Sequence, residues 1–100
     1  MTLRTTMKLK EAMLLKTEEQ YPQFVPIAKR NIETTKQRIS GEIELKYLEN
    51  WNKALSDKEA LKRMIADTSD EGMSHWQLAP FAGIFTPEER WLILRKESSR

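Results

Sequence analysis

The sequence contains no cysteine and a single histidine, His75. Without cysteine there is no disulfide and no thiolate nucleophile, and a reducing cytoplasm is the compartment to expect. One imidazole leaves a Cys/His zinc site almost nothing to be built from, so no metal ligand is assigned. Glycine occurs only at Gly41, Gly72 and Gly83, positions too far apart for a phosphate-cradling loop. No apolar run approaches the ~18 residues of a bilayer span. The opening stretch "MTLRTTMKLKEAMLLK" lacks the unbroken apolar region and small-residue cleavage site of a secretory signal. The serines fall at segment ends, in polar loops and in the tail, none beside an oriented base, so nucleophilic catalysis has no visible constellation. These absences predict a non-enzymatic protein with no cofactor and no membrane association.

What is present is globular in character. Apolar residues make up 39% of the 100-residue chain and charged residues 32%, which suits one domain spanning 1–100 with a single core. Frayed ends are expected over 1–6 and 97–100. The net charge is only +2, but it is unevenly spread. Residues 2–38 hold eight Lys/Arg against four Asp/Glu, a balance of +4, whereas residues 39–74 hold five against eight, or −3. A basic N-terminal face follows, on a protein that is not strongly basic.

Helical periodicity runs through the chain and sustained alternation is absent, which predicts an all-α bundle of five or six short helices. In the first segment, Leu3 to Gln20, a stripe of Leu3, Met7 and Leu14 is the leading candidate for the buried face. "YPQFVP" is expected to break that helix. A second segment then starts at Pro26, a favourable first helical residue. There Ala28, Ile32, Thr35 and Ile39 form one face, and Ser40-Gly41 is the expected stop. A third segment, Glu42 to Leu55, gathers Ile43, Tyr47, Leu48, Trp51, Ala54 and Leu55 on one arc. The second and third segments should pack as an antiparallel hairpin with Ile32, Ile39, Ile43, Tyr47 and Trp51 inside. Ser56 and Glu59 read as a capping box for a fourth segment, whose stripe is Ala60, Leu61, Met64 and Ile65. "DTSDEG" reads as a polar loop. Thr86-Pro87-Glu88-Glu89 is a second capping box and opens a last helix from Pro87 to about Glu97.

His75 lies in "SHWQ" without a sequence-adjacent carboxylate beyond the acids of the 69–71 loop. It is expected to be a partly buried or capping histidine. The basic residues of the second segment, Lys29, Arg30 and Lys36 with Arg38 at the edge, share its solvent side. They could dock an acidic protein or a phosphate, although Glu33 dilutes the field and no exposed aromatics interleave to stack bases.

The last quarter holds the apolar excess. "WLIL" points all round a helix, so one core-facing stripe cannot cover it. Trp91 and Leu94 are assigned to the core, and Ile93, on the opposite flank, to a partner contact, with Phe81 and Phe85 as further candidates. The stretch 77–94 also has the outline of a helix-turn-helix, with Ala79, Gly83 and Ile84 at the turn. Pro80 interrupts its first helix and two glutamates open its second, both unfavourable for DNA reading. "LAPFAGIFTPEERWLIL" resembles the C-terminal signature of small bacterial helical proteins ending in a PFAG–x–x–(T/S)P–x–ERW run, some of them associated with toxin–antitoxin or mobile-element loci. The resemblance covers about a fifth of the chain and implies a bacterial or phage accessory protein, with no residue's role carried over. The leading expectation is an antitoxin-like regulator, inhibitor or adaptor that binds a protein, with self-association as a further possibility. The alternative is a small DNA-binding regulator.

Overall fold

A computed structural model describes the backbone of residues 3–98 and the side chains of residues 4–93. The fold is all-α. Its helices are α1 (Leu3–Lys36), α2 (Glu42–Ala54), α3 (Lys58–Ala66), α4 (Asp70–Gln77) and α5 (Pro87–Ser98), and no strand occurs among the described residues. Residues 3–6 and 97–98, expected to fray, are helical; the rest of those two stretches lies outside the described residues.

The first two predicted segments form one long, kinked helix. Gln20, at φ −135° and ψ 25°, leaves helical geometry, and Pro22 and Pro26 lie inside the helix beyond it. The break expected over "YPQFVP" therefore falls two residues before the first proline, and the second arm begins near Tyr21 instead of at Pro26. Pro22 sits in the first turn of that arm, where a backbone donor is dispensable. Restarting the arm early brings Phe24 onto the stripe of Ala28 and Ile32, and all three are buried.

On the first arm the buried residues are Leu9, Lys10, Met13 and Thr17, not the Leu3–Met7–Leu14 stripe. Met7 and Leu14 are half-buried, and the side chain of Leu3 lies outside the described residues. Two polar residues on the inward face hide it from a reading of hydrophobic periodicity. Each is satisfied locally. The Thr17 hydroxyl donates to the Met13 carbonyl at 2.8 Å, and the Lys10 ammonium donates to the Asp67 carbonyl at 2.8 Å. The same ammonium lies 3.7 Å from Met73 Sδ and 5.2 Å from the centre of the Trp76 ring. Burial pushes the Lys10 ammonium below its ordinary value, while the Asp67 charge opposes that shift.

The second arm and α2 run antiparallel, since the Tyr21 hydroxyl at the start of one donates to the Leu55 carbonyl at the end of the other. Ile32 and Trp51 are buried and Ile39 is half-buried against the core, as the hairpin reading requires, whereas Tyr47 is half-buried over the His75 ring of α4. Ile43 is not: it is 65% exposed in the first turn of α2, before the two elements converge. Gly41 is the N-terminal cap of α2, and the preceding helix ends earlier, at Lys36, through tight turns onto the Thr34 and Thr35 carbonyls. Ser56 closes α2 by donating to Lys53 O, so the cap of α3 is Asp57, whose carboxylate accepts from the Glu59 amide. Half of the "DTSDEG" stretch is helical, because Ser69 caps α4 through the Gly72 amide.

The core is continuous from Met13 through Phe24, Leu48, Trp51, Leu61 and Ile65 to Phe81. Trp51 is fully buried and its indole donates to the His75 carbonyl at 2.8 Å. Phe81 meets Trp51 and Phe24 edge-on, with ring centres 5.3 and 6.1 Å apart. The linker 78–86 turns at Gly83, whose φ of +82° suits glycine. Asn31 holds the linker by donating to the Pro80 and Ala82 carbonyls.

Candidate interaction surface on α1 and α5

Helix α5 starts from a reciprocal cap. The Thr86 hydroxyl accepts from the Glu89 amide at 3.0 Å, and a Glu89 carboxylate oxygen accepts from the Thr86 amide at 2.9 Å. Pro87 presets the first turn, and Glu88 and Glu89 suit the positive end of the helix dipole. The second Glu89 oxygen accepts from Lys16 of α1 at 2.8 Å. One side chain thus caps α5 and ties it to the first arm. The Lys16 ammonium, followed by the Thr86 amide, holds the Glu89 carboxyl below the usual carboxylate range.

Among the described helices, α5 packs against α1 alone. Along α5, Glu89 and Ile93 share the flank toward α1 and line a groove of about 250 Å³ with Leu15, Lys16, Phe85 and Leu92. The Lys16 ammonium also sits 5.5 Å from the centre of the Phe85 ring. Leu92 and Leu15 stand at the rim of that groove, and the flank of α5 beyond Leu92 faces outward. Trp91 is 58% and Leu92 53% exposed, and Leu15 on α1 is 59% exposed beside them. A second concavity, of about 480 Å³, opens over Pro87, Glu88, Trp91 and Leu92. Three large apolar side chains on two adjoining helices form one outward-facing surface.

This arrangement inverts the expected roles of the two flanks. Ile93, assigned to a partner, is half-buried against α1, and Trp91, assigned to the core, faces out. Wheel geometry separates the flanks but does not say which one turns inward. The linker trajectory and the Lys16–Glu89 contact decide that, because Ile93 lies one turn after Glu89 on the same face. The side chain of Leu94 lies outside the described residues. Phe81 is buried in the core and is unavailable to a partner. Phe85 is half-buried and forms a wall of the groove. Leu15 carried no distinguishing sequence signal, since leucine at that position fits either face.

The basic candidates lie on the other arm of α1. Lys29 and Arg30 are exposed, Lys36 is exposed and 3.6 Å from Glu33, and Arg38 is exposed in the turn that follows. The outlined helix-turn-helix does not have that geometry: nine residues separate Gln77 from Pro87, where such a motif joins its helices by three or four.

His75 of α4 faces α2. It is buried, and its Nδ1 meets the Glu71 carbonyl at 2.9 Å, which requires the proton on Nδ1. Its Nε2 then accepts from the Asn50 amide at 3.0 Å, and Tyr47 lies over the ring at 4.2 Å between centres. Both ring nitrogens are engaged. Among the described residues no three His, Asp or Glu side chains gather as metal ligands. No described helix is long and apolar enough to cross a membrane. Comparison of the chain with protein-family models, with curated proteins and with solved structures finds no match to any of them.

Proposed function

We propose that the chain is a non-enzymatic helical module that acts by binding another protein through the outward face of α1 and α5, as a regulator, inhibitor or adaptor. The observation that carries this reading is the exposure of Leu15, Trp91 and Leu92 together. A contiguous apolar surface on a small domain is costly to leave in water and marks an interaction site. The engagement of both His75 nitrogens, Nδ1 by Glu71 within α4 and Nε2 by Asn50 of α2, supports a role without catalysis.

The test is differential capture from the native host. Tagged wild type and a Leu92→Asp variant are compared, retained proteins are identified, and the best candidate is purified and titrated against both forms. A purified partner that binds wild type at least tenfold more tightly than Leu92→Asp supports the proposal. Equal binding by both forms, or no partner, overturns it. Duplex DNA, titrated at low and high salt, serves as the control for the basic arm. Tight binding that falls steeply with salt and is lost on changing Lys29 and Arg30 to Glu would favour a nucleic-acid role instead.

A further inference from the structure

A third concavity, of about 200 Å³, opens between the first arm of α1, α4 and the linker, apart from the outward face that carries Trp91 and Leu92. Leu9, Met13, Trp76, Phe81 and Phe85 give it an apolar and largely aromatic lining. Its walls are held by contacts of the fold itself. Phe81 is buried edge-on against Trp51 and Phe24, and its ring centre lies 6.0 Å from that of Trp76. The linker on either side of Phe81 is fixed by Asn31, through the Pro80 and Ala82 carbonyls. A preformed apolar hollow with few polar groups at its edge is the usual form of a small-molecule site.

The charges around this hollow have one sign. Arg90, one turn after the Thr86 cap, is the one charged residue among the described residues that border it, and no acid does. Among the described residues the Arg90 guanidinium has no hydrogen-bond or ion-pair partner. Two ammoniums stand near the rings of the lining, Lys10 at 5.2 Å from the centre of Trp76 and Lys16 at 5.5 Å from that of Phe85. Lys16 is already paired with Glu89, so Arg90 carries the uncompensated charge. A planar guanidinium beside an apolar hollow matches a carboxylate attached to an apolar body. A cavity of about 150 Å³ takes up one benzene ring, so this volume suits a single ring with its acid group.

We propose that this hollow is a binding site for a small aromatic carboxylate, with the ring among Trp76, Phe81 and Phe85 and the carboxylate paired with Arg90. The site is separate from the protein-binding face and does not depend on it. A ligand this small binds modestly, with a dissociation constant of about 0.1–1 mM.

The experiment titrates the full chain with benzoate, benzamide and acetate, read from the backbone and indole signals in proton–nitrogen correlation spectra. Benzoate is expected to shift the Trp76 indole signal saturably and to leave that of Trp91 in place. Benzamide has the ring without the charge, and acetate has the charge without the ring. Each should bind more weakly than benzoate by about fivefold or more. Arg90→Gln, at an exposed position, should weaken benzoate by a similar factor. Ala82→Phe, which sets a ring into the hollow from the linker, should abolish the saturable shift. Circular dichroism confirms that the helices of each variant are retained; if Ala82→Phe fails to fold, Arg90→Gln decides. Benzoate that leaves the Trp76 signal unmoved at about 5 mM overturns the proposal. So does benzamide or acetate that binds as tightly as benzoate, or an Arg90→Gln protein that binds benzoate as wild type does.

Discussion

The Lys58 ammonium lies 3.1 Å from the carbonyl oxygen of Glu18, the acceptor whose helical donor would be the amide of residue 22. Pro22 has no amide hydrogen, so the kink of α1 releases an acceptor and α3 supplies its donor. The Glu18 carboxylate accepts from Lys58 as well, at 3.4 Å, and from Lys62 at 2.6 Å. One residue beside the kink thereby fixes the position of α3 against α1.

This joint has a pH signature. The Lys62 hydrogen bond and the Lys58 charge hold the Glu18 carboxyl below its ordinary value. A carboxyl lowered on folding stabilises the fold above its unfolded value and loses that contribution as pH falls through its folded one. Glu18→Gln should thus flatten the dependence of the thermal midpoint on pH between 7 and 3, and wild type at high salt should move the same way. Thermal melts at several pH values read it directly; parallel curves for the two proteins would remove Glu18 from the account.

Gly72 is buried where α4 meets α3, and a Cβ there would lie 2.4 Å from the Asp67 backbone oxygen. That oxygen also accepts from Lys10. In an open helix, alanine would gain about 1 kcal/mol over glycine. Here the clash is with backbone, so Gly72→Ala should destabilise by roughly 1–3 kcal/mol, as overpacking does. Lys10→Ala, which empties a buried side chain, should cost about 2–5 kcal/mol. Lys10→Met keeps the volume and should cost less. Denaturant unfolding of the three variants gives the ranking, and a Gly72→Ala protein more stable than wild type would mean that the corner yields freely.

The two flanks of α5 should separate cleanly in stability. Trp91→Ala should cost under about 1 kcal/mol, since more than half of the residue is exposed and surface changes are usually small. Ile93→Asp should cost about 2 kcal/mol or more by placing a charge in the α1–α5 groove. A reversed order in urea titrations would put Trp91 back in the core.

Thr86→Ala removes the hydroxyl that accepts from the Glu89 amide. The cost expected for such a cap is about 1 kcal/mol. Thr86→Ser keeps the acceptor and should recover most of it. Thermal melts compare the two, and an alanine variant as stable as the serine one would show that water replaces the hydroxyl.

Much of the fold was legible in residue pattern alone. Thr86 and Glu89 form the box that their spacing predicts, and Leu61 and Ile65 fall inside as their periodicity requires. What escaped was decided by contacts distant in sequence. The inward face of the first arm was hidden because Lys10 and Thr17 lie on it, and Lys10 is tolerated only through Asp67, Met73 and Trp76. The kink moved to Gln20 because Pro22 is acceptable in the first turn of the arm that follows. In the binding surface, the division of "WLIL" into two flanks was readable, but its sign was not. Lys16, some seventy residues upstream of Glu89, sets it.

Asn31 carries a consequence for how the chain is made. Its amide grips two carbonyls of a linker about fifty residues later, and Lys10 waits for residues 67, 73 and 76. A ribosome works from the N-terminus, so α1 is finished before α3, α5 and the linker that it packs against exist. Both arms must then emerge with Met13 and Phe24 uncovered until the linker follows. Nascent α1 is the stretch that a chaperone would meet, and slowing synthesis between Lys36 and Phe85 would prolong that exposure instead of aiding folding.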